Sequence, residues 1–371
     1  MRWARADCNI RSRMGMNLDA CYRALLRPLL FQLDAEFAHR LTLAALSQVP
    51  ALTPRADPPE LRTELFGLVF ANPLGLAAGL DKDARAIRAW NALGFGFAEV
   101  GTVTPNQQSG NPRPRIWRLP DRQAMVNRLG FPSDGMEAVA GRLERQNRRP
   151  VRMRLAINLG PNKDTPAERV AEDYARLIRR LGLLADFVVV NLSSPNTPGL
   201  RDFQAPERMR SVVEAIGAAA ADSAQRTPLL VKLAPDLDPP MLTDICAAAL
   251  DLRLDGIVAT NTTLQREALG IDSTLTGGLS GEPLKTLAHA TIVRLYRQLG
   301  NRIPIIGVGG VATAEDAYSH IRAGASLVEL YTAMVYQGPG IVRAIKAGLI
   351  RLLARDGFRS ISEAVGAASR G

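Results

Sequence analysis

The stretch "DFVVVNLSSPNTPG" (residues 186–199) joins a run of β-formers to a dense group of small polar residues. Residues 187–192 are apolar except for one asparagine, a composition typical of a strand buried on both faces of a parallel sheet. The prolines and the glycine that follow favour a tight turn. The asparagine, serine and threonine side chains of residues 191–199 would also suit a site that holds a flat polar ligand.

The same pattern, an apolar run followed by polar or glycine-rich residues, recurs along the chain. Helical periodicity separates most of these runs, as in "ERVAEDYARLIRRLG" and "AEDAYSHIRAG". Apolar strands that alternate with helices predict an α/β fold with a parallel sheet covered on both faces. Their number indicates a closed (β/α)8 TIM barrel, with a doubly wound sheet as the alternative. A short hairpin is expected at 64–73, and the barrel strands at 74–79, 97–101, 155–160, 187–192, 229–234, 256–261, 304–309 and 326–331.

The chain divides into several predicted parts. Residues 1–16 are rich in arginine and are expected to form a disordered extension. Residues 17–53 show helical spacing in two short segments separated by "QLDAE", which predicts a small N-terminal two-helix extension. After the proline-rich linker "PRADPPE" (54–60), we expect the barrel over 61–355 and a C-terminal tail over 356–371.

Composition argues against several classes of function. The 371 residues carry a formal net charge of +10, but the basic residues are spread out and only 5% are aromatic, so no nucleic-acid surface is predicted. The 3 cysteines are far apart, which predicts no disulfide or metal site and fits the cytoplasm. The 3 histidines stand beside no convincing nucleophile, which disfavours a Ser–His–Asp hydrolase. No apolar run reaches the ~18 residues that span a bilayer.

Polar residues cluster where the predicted strands end. In a barrel these clusters converge on the carboxyl-end rim, where barrel enzymes place their chemistry. Each cluster taken alone could simply begin a loop, but the coincidence along the whole chain favours a shared site. The clusters are "GLDK" (79–82), "GTVTP" (101–105), "NLGPNKD" (158–164), "NLSSPNTPG" (191–199), Lys232, "TNTT" (260–263), "GVGG" (307–310) and "YT" (331–332).

Two of these features are typical of sites that bind negatively charged groups. Glycine amides in "GVGG" after the seventh strand, before a helix, are typical of a phosphate cradle. Lys232 stands among apolar residues, and a buried lysine needs a negative partner. Lys232 could therefore stabilise anionic charge on a flavin or form a Schiff base.

Asparagines form a second pattern. Their amides both donate and accept, which suits a planar ring with carbonyl and NH groups better than a metal ion. Any one of them could instead satisfy the backbone of a turn. The asparagines concerned are Asn127, Asn158, Asn191, Asn196 and Asn261.

The motifs together resemble a known family. "AAGLDKD", "GFGFAEVGTVTP", "NPRPRIWRL", "NRLGFPSDG", "INLGPNKDTP", "NLSSPNTPGLR", "VKLAPDL", "GIVATNTT", "TGGLSG" and "PIIGVGGV" are similar in content and order to the class 2, quinone-dependent dihydroorotate dehydrogenases over roughly residues 18–350. The resemblance implies an FMN-containing barrel that oxidises dihydroorotate to orotate in pyrimidine biosynthesis and passes the electrons to a membrane quinone. The alternatives are a class 1-like FMN barrel that uses fumarate or NAD, a non-redox barrel aldolase with a Schiff base, and a ligand-binding barrel without catalytic activity.

The resemblance also implies residue roles. Ser194 matches the family's catalytic base, where class 1 enzymes carry cysteine, and Thr197 and Phe131 match positions that shape a water relay for the proton. His39, Arg118 and Tyr331 match positions near a quinone tunnel covered by the two helices. The implied FMN contacts are Ala78, Gly79, Lys82, Thr102, Asn158, Asn191, Lys232, Thr260, Gly281, Gly310, Tyr331 and Thr332. The implied substrate contacts are Lys82, Asn127, Arg128, Leu129, Gly130, Phe131, Asn191, Asn196, Asn261 and Thr262.

The resemblance implies a location as well. We expect the helices of 17–53 to lie on the cytoplasmic side of the cell inner membrane as a peripheral attachment, aided by Arg23, Arg27 and Arg40. The chain would act as a monomer or homodimer. One departure concerns "GFPSDG" (130–135), where proline and serine replace the expected asparagine-rich sequence, so the geometry of this loop is left open.

Overall fold

A closed barrel of eight parallel strands forms the centre of the molecule, and its strands follow one another around the barrel in chain order. The computed structural model describes residues 20–147, 151–221, 226–271 and 274–369. All the predicted barrel strands are present, so the (β/α)8 barrel is confirmed and the doubly wound sheet is wrong. The predicted extension at 1–16 lies outside the described residues.

The strands are numbered along the chain, and β3, β4, β7, β8, β9, β10, β12 and β13 form the barrel. Their bounds are β1 (Thr63–Leu65), β2 (Leu68–Phe70), β3 (Leu74–Leu76), β4 (Phe97–Val103), β5 (Ile116–Leu119), β6 (Ala124–Asn127), β7 (Arg154–Leu159), β8 (Phe187–Asn191), β9 (Leu229–Leu233), β10 (Gly256–Ala259), β11 (Gly278–Gly281), β12 (Ile305–Val308) and β13 (Ala325–Leu330).

The helices α3 to α11 follow the barrel strands, and their apolar faces pack on the outside of the barrel. The α-helices are α1 (Arg27–Gln32), α2 (Ala35–Ser47), α3 (Ile87–Leu93), α4 (Met136–Asn147), α5 (Val170–Leu181), α6 (Pro206–Ala220), α7 (Pro239–Asp251), α8 (Lys285–Leu299), α9 (Ala314–Ala323), α10 (Thr332–Gln337), α11 (Ile341–Asp356) and α12 (Ile361–Ala364).

The barrel interior changes from apolar to polar along its axis. Side chains two residues apart on a strand share a face. On β4 the interior residue Phe97 is therefore followed by Glu99, and on β9 Leu230 is followed by Lys232. The same step occurs on β7, β8 and β13. As a result, the carboxyl half of the barrel interior is polar and the amino half is an apolar core.

The hairpin of β1 and β2 closes the amino end of the barrel. Phe70 packs edge-on against Phe97 and Phe187, the first residues of β4 and β8, with ring centroids 5.8 and 6.1 Å apart. Phe66 at the turn lies 5.8 Å from Phe187. Because these rings fill the amino end, any large ligand must enter from the carboxyl end.

A three-stranded sheet that the sequence analysis did not predict lies at the carboxyl end. β6 pairs antiparallel with both β5 and β11, so segments after β4 and after β10 meet there. Asn127 on β6 lies opposite both Ile116 and Gly278. These strands have 4 residues each, too few to establish an alternating pattern.

The N-terminal unit contains the two predicted helices, preceded by a π-helical turn at Tyr22–Leu26. Pro28 lies in the first turn of α1, directly after the π-helical turn. Asp34 caps α2 by accepting a hydrogen bond from Phe37 N at 2.9 Å.

A buried ion pair fixes α2 to the barrel. The guanidinium of Arg115 binds Glu36 through both carboxylate oxygens, at 2.7 and 2.9 Å, and Arg113 adds a contact of 2.8 Å. Arg115 also donates to Asn111 O at 2.8 Å. The bidentate geometry holds α2 in one orientation over the carboxyl end of the barrel.

The outer surface of the N-terminal unit exposes large apolar side chains. Leu29 is 67% exposed and Phe37 is 55% exposed, and Leu25, Leu26 and Leu41 are also exposed. Within the described part of the chain, no helix has the length and apolar content needed to span a bilayer.

The segment after α11 packs onto the barrel. Ile361 and Ala364 of α12 are fully buried against the outer helices. Gly366 N donates to Ile321 O at 3.0 Å, and Ala368 N donates to Arg322 O at 2.9 Å. Residues 361–368 therefore belong to the packed body of the protein.

Candidate active site

Two cavities open at the carboxyl end of the barrel. We call the larger, about 1360 Å³, the helical-unit cavity, because α2 forms one of its walls. The smaller, about 320 Å³, is the glycine-loop cavity, because Gly309 and Gly310 line it. Tyr331 lines both cavities and so stands between them.

Most predicted site residues fall on these two cavities. The helical-unit cavity is lined by His39, Gly79, Lys82, Leu129 and Tyr331. The glycine-loop cavity is lined by Ala78, Lys232, Thr260, Asn261, Thr262, Gly281, Gly310, Tyr331 and Thr332.

Predicted residues on neighbouring strands form a hydrogen-bonded cluster in the polar half of the barrel. Thr102 Oγ1 donates to Asn158 Oδ1 at 2.5 Å, and Asn191 Nδ2 donates to the same oxygen at 3.1 Å. Asn261 Nδ2 donates to Asn191 Oδ1 at 3.3 Å and to Ser193 Oγ at 3.0 Å. The cluster comes from segments far apart in sequence, so the barrel itself assembles it.

Lys232 has two carboxylate partners inside the barrel. Its ammonium lies 3.0 Å from Glu99 Oε2 and 3.5 Å from Glu329 Oε2, and both glutamates are fully buried. Burial would lower the pKa of Lys232, but the two carboxylates outweigh burial and raise it. Burial and the charge of Glu99 raise the pKa of Glu329 well above its usual value.

The loop after β8 brings Ser194 to the site. Ser194 is buried, and its Oγ accepts a hydrogen bond from Asn196 N at 3.3 Å. Asn196 Nδ2 donates to Asn127 Oδ1 at 3.4 Å, which links this loop to β6. Thr197 Oγ1 is buried and has no hydrogen-bond partner among the described residues. The ring of Phe131 packs over Gly160, where an added Cβ would lie 2.9 Å from it.

The loop containing the departure at 130–135 is firmly held. Ser133 exchanges two backbone hydrogen bonds of 3.0 Å with Gln108, and its Oγ accepts from Gly135 N at 3.1 Å. Asp134 pairs with Arg85 and Arg142. Pro132 and Ser133 are therefore compatible with an ordered loop that keeps Phe131 buried.

Burial lowers the pKa of two basic groups that line the helical-unit cavity. Burial, together with the nearby charge of Lys82, lowers the pKa of His39 to about 4. Burial lowers the pKa of Lys82 to about 8, although the carboxylate of Asp83 opposes this shift. Lys82 has no hydrogen bond or ion pair within the described residues, so its ammonium is available to an anion.

Glycines shape the smaller cavity. Gly309 and Gly310 have φ of +127° and +72°, which side chains rarely adopt. The imidazole of His320 holds this turn from outside, with Nε2 3.1 Å from Gly309 O. Opposite the turn, the hydroxyls of Ser280 and Thr332 lie 2.9 Å apart. Glycine amides, hydroxyls and the ammonium of Lys232 together form a donor-rich lining.

Arg118 and Arg128 line neither cavity. Arg118 stacks on Phe31, 4.6 Å from the ring centroid, and donates to Leu30 O at 2.9 Å at the end of α1. The Arg128 side chain stacks on Trp117, although Arg128 O accepts a hydrogen bond from Asn111 at 2.9 Å. Both arginines therefore support elements beside the cavities.

The family model for dihydroorotate dehydrogenase matches residues 60–353. The chain belongs to the dihydroorotate dehydrogenase family. A protein of Parvibaculum lavamentivorans named dihydroorotate dehydrogenase (quinone) is 49% identical, over 92% of this chain and 97% of the relative. A protein of the same name from Deinococcus radiodurans is 48% identical, over 92% of this chain and 98% of the relative.

Solved structures give the same result. A crystal structure of DHODH from Eimeria tenella in complex with ferulenol has a TM-score of 0.87 and 39% identity, covering 92% of this chain and 99% of that chain. A ligand-free structure from Eimeria tenella has a TM-score of 0.86 at the same identity of 39%, covering 91% and 100% of the two chains. Dihydroorotate dehydrogenases are flavin-dependent oxidoreductases, and this chain is the quinone-dependent kind.

The sequence analysis missed several residues of this dehydrogenase site. Glu99 and Glu329 were not singled out, although each places a charge inside an apolar strand run, at "FAEVG" and "SLVELY". Ser193, which bonds Asn191 and Asn261, was passed over beside Ser194. Asn111, whose amide donates to Asn196 O at 3.3 Å across the loops, begins the motif "NPRPRIWRL" but was not singled out.

Proposed function

We propose that the protein oxidises dihydroorotate to orotate on a bound FMN and passes the electrons to a membrane quinone, as a step of pyrimidine biosynthesis. The observation that carries the proposal is the family membership, joined to a buried amide cluster that lies beside Ser194. The amides of Asn127, Asn191, Asn196 and Asn261 both donate and accept, which matches the carbonyl and NH groups of a dihydropyrimidine ring.

FMN fits the glycine-loop cavity. The volume of about 320 Å³ lies at the small end of the range for ligand pockets, and the lining is rich in donors. We assign the phosphate to Gly281, Gly310 and Thr332, and the ring to Lys232 and Thr260 with Asn158 and Asn191. When bound, FMN accepts the hydride from C6 of dihydroorotate and delivers the electrons to the quinone.

We propose that Ser194 is the base that removes the proton from C5 of dihydroorotate. Its hydroxyl is a weak base, and a protein group or water must carry the proton onward. His289 and His320 lie on α8 and α9 outside the barrel, so neither stands beside Ser194. The hydroxyl of Thr197 has no hydrogen-bond partner among the described residues, which supports a water relay, and Phe131 would confine this water.

The alternatives fit less well. Lys232 is held as an ammonium by two carboxylates, whereas a Schiff-base lysine must lose its proton to attack a carbonyl. A class 1-like enzyme using fumarate or NAD is disfavoured by Ser194 and by the quinone-dependent relatives.

Anaerobic half-reactions test the proposed function. Purified protein should be yellow, and dihydroorotate added without oxygen should bleach the flavin absorbance. A quinone should then restore the colour, whereas fumarate and NAD should not. A colourless protein, or reoxidation by fumarate or NAD but not by quinone, would contradict the proposal.

The pH dependence of orotate binding follows from Lys82. We propose that its ammonium binds the substrate carboxylate, and its pKa in the free protein is about 8. Since the carboxylate prefers the protonated form, orotate affinity should be highest below pH 8 and should fall as the pH rises through 8, by about tenfold per pH unit above it. Titration of the flavin spectrum with orotate from pH 6 to about pH 10 measures this. A flat profile would remove Lys82 from the carboxylate site.

We assign quinone access to the helical-unit cavity. The exposed apolar residues of the N-terminal unit, with the exposed Arg23 and Arg40, favour peripheral attachment to the cytoplasmic side of the inner membrane. Arg27 was also expected to aid attachment, but its guanidinium instead donates to Tyr336 O at 3.0 Å. His39 faces the cavity as a neutral imidazole at pH 7, able to hydrogen-bond a quinone carbonyl. Arg118 would act by holding the end of α1 in place.

The variant His39→Ala tests this assignment. We expect the KM for quinone to rise about fivefold to tenfold, the cost of one hydrogen bond, while flavin bleaching by dihydroorotate stays unchanged. Thr42→Ala on the same helix is the control, because Thr42 is exposed and its hydroxyl donates only to Ala38 O, at 2.8 Å. An equal effect of both variants on the KM would indicate a loosened helix rather than a lost quinone contact.

A further inference from the structure

A continuous hydrogen-bond network runs from the ion pair at the barrel centre to the amides assigned to the substrate. Lys232 Nζ lies 3.0 Å from Glu99 Oε2, and Glu99 Oε1 accepts from Asn158 Nδ2. Asn158 Oδ1 accepts from Asn191 Nδ2 at 3.1 Å, and Asn191 Oδ1 accepts from Asn261 Nδ2 at 3.3 Å. Glu99, Asn158, Asn191 and Lys232 are buried, so water does not compete for these bonds.

The network has a direction, and Glu99 sets it at the inner end, at Asn158. An asparagine amide has a donor side and an acceptor side, and a half-turn exchanges them. An ionised carboxylate only accepts, so Glu99 obliges Asn158 to turn its NH2 group inward. Asn158 Oδ1 then has to accept, and Asn191 has to donate to it. The same logic leaves Asn191 Oδ1 to accept from Asn261.

Ser193 and Thr102 reinforce this direction. Ser193 Oγ donates to Asn191 Oδ1 at 3.1 Å, and Ser193 N lies 3.3 Å from the same oxygen. Thr102 Oγ1 donates to Asn158 Oδ1 at 2.5 Å. If the Asn191 amide turned over, its NH2 group would face Ser193 N, and this buried N–H would be left unpaired. Each such group costs about 1–3 kcal/mol.

We propose that Glu99 is a positioning residue that sets the donor–acceptor polarity of the network, and so fixes which edges of the Asn191 and Asn261 amides face the substrate. The inference rests on the proposed function, which assigns these two asparagines to the dihydropyrimidine ring. Glu99 does not touch the substrate in this account. It acts through Asn158, one strand away.

Glu329 provides a matched comparison. It also pairs with Lys232, at 3.5 Å, and is also fully buried. Among the described residues, however, it bonds none of the amides of the network, and its Oε1 has no hydrogen-bond partner. The changes Glu99→Gln and Glu329→Gln therefore each remove one carboxylate from Lys232, but only the first removes the acceptor that orients Asn158.

Orotate binding to the FMN-loaded protein tests the proposal. Glutamine can turn its own NH2 group toward Asn158, so Glu99→Gln releases the orientation of the amides. We expect the dissociation constant of Glu99→Gln for orotate to rise about tenfold or more. The dissociation constant of Glu329→Gln should stay within about threefold of the wild-type value. The flavin spectrum, titrated with orotate, gives both constants without turnover. Equal increases in the two variants would overturn the proposal, because the loss of charge beside Lys232 would then explain them.

A second variant keeps the test decisive if Glu99→Gln fails to fold or loses FMN. Asn158→Leu leaves the pair of Glu99 and Lys232 intact but cuts the link to Asn191. It should raise the orotate dissociation constant by about tenfold or more. Where Glu99→Gln does fold and keep FMN, adding it to Asn158→Leu should change little further, since both act on one path. Unchanged binding in Asn158→Leu would overturn the proposal.

These measurements distinguish failure of the proposed function from failure of the role proposed for Glu99. If the unchanged, FMN-loaded protein did not bind orotate at all, the proposed function would fail. If it bound orotate and the two glutamate variants behaved alike, only the role of Glu99 would fail.

Discussion

Replacing Ser194 by alanine is expected to lower kcat for dihydroorotate oxidation by about 10²- to 10⁴-fold at neutral pH, the range for the loss of a general base. FMN and orotate binding should persist. Among the described residues, Ser194 Oγ accepts one hydrogen bond, from Asn196 N, and bonds no side chain of the amide cluster. Stopped-flow measurement of flavin bleaching gives the rate of this step directly. Unchanged bleaching would remove Ser194 from the role of base.

The neighbouring serine supplies the control. Ser193 is also buried, but its Oγ bonds Asn191 and Asn261, the two amides assigned to the substrate. Ser193→Ala should therefore weaken orotate binding more than it slows bleaching at saturating substrate. If Ser193→Ala and Ser194→Ala slowed bleaching equally, disturbance of the loop would explain both.

Replacing Lys232 by methionine is expected to lower the free energy of unfolding by about 3–5 kcal/mol, because it leaves two buried carboxylates without their cation. Chemical denaturation of the FMN-free proteins measures the loss without contributions from the cofactor. The loss should grow as the pH rises. In the folded variant, Glu329 would bind a proton more tightly than in the unfolded chain, so unfolding releases a proton.

Neutralising the carboxylates should reverse much of this loss. The triple change Lys232→Met, Glu99→Gln and Glu329→Gln removes the unpaired charges while keeping similar volumes, and should be more stable than Lys232→Met alone. The increase of the stability loss with pH should also disappear in the triple variant. If the triple variant were no more stable than Lys232→Met, the ion pairs would not be the reason for the loss.

The barrel was predictable because its signals are local. Apolar runs such as 187–192 and the helices between them repeat along the chain, and each can be recognised within a few residues. The polar residues at the strand ends needed only the geometry of a closed barrel to be placed on one rim. The short strands β5, β6 and β11 lacked such a signal, and only their pairing across the carboxyl end defines them.

The sequence by itself determined the barrel, the two-helix extension and the residue types of the site. It showed that Lys232 needs a negative partner, because burial of an ammonium is costly. Only the tertiary structure decided that the partners are Glu99 and Glu329, which lie 133 and 97 positions away in the chain. It likewise placed Arg118 at the end of α1 rather than on a cavity. A buried ammonium requires a negative partner, but which distant residues supply it is determined only by the folded barrel.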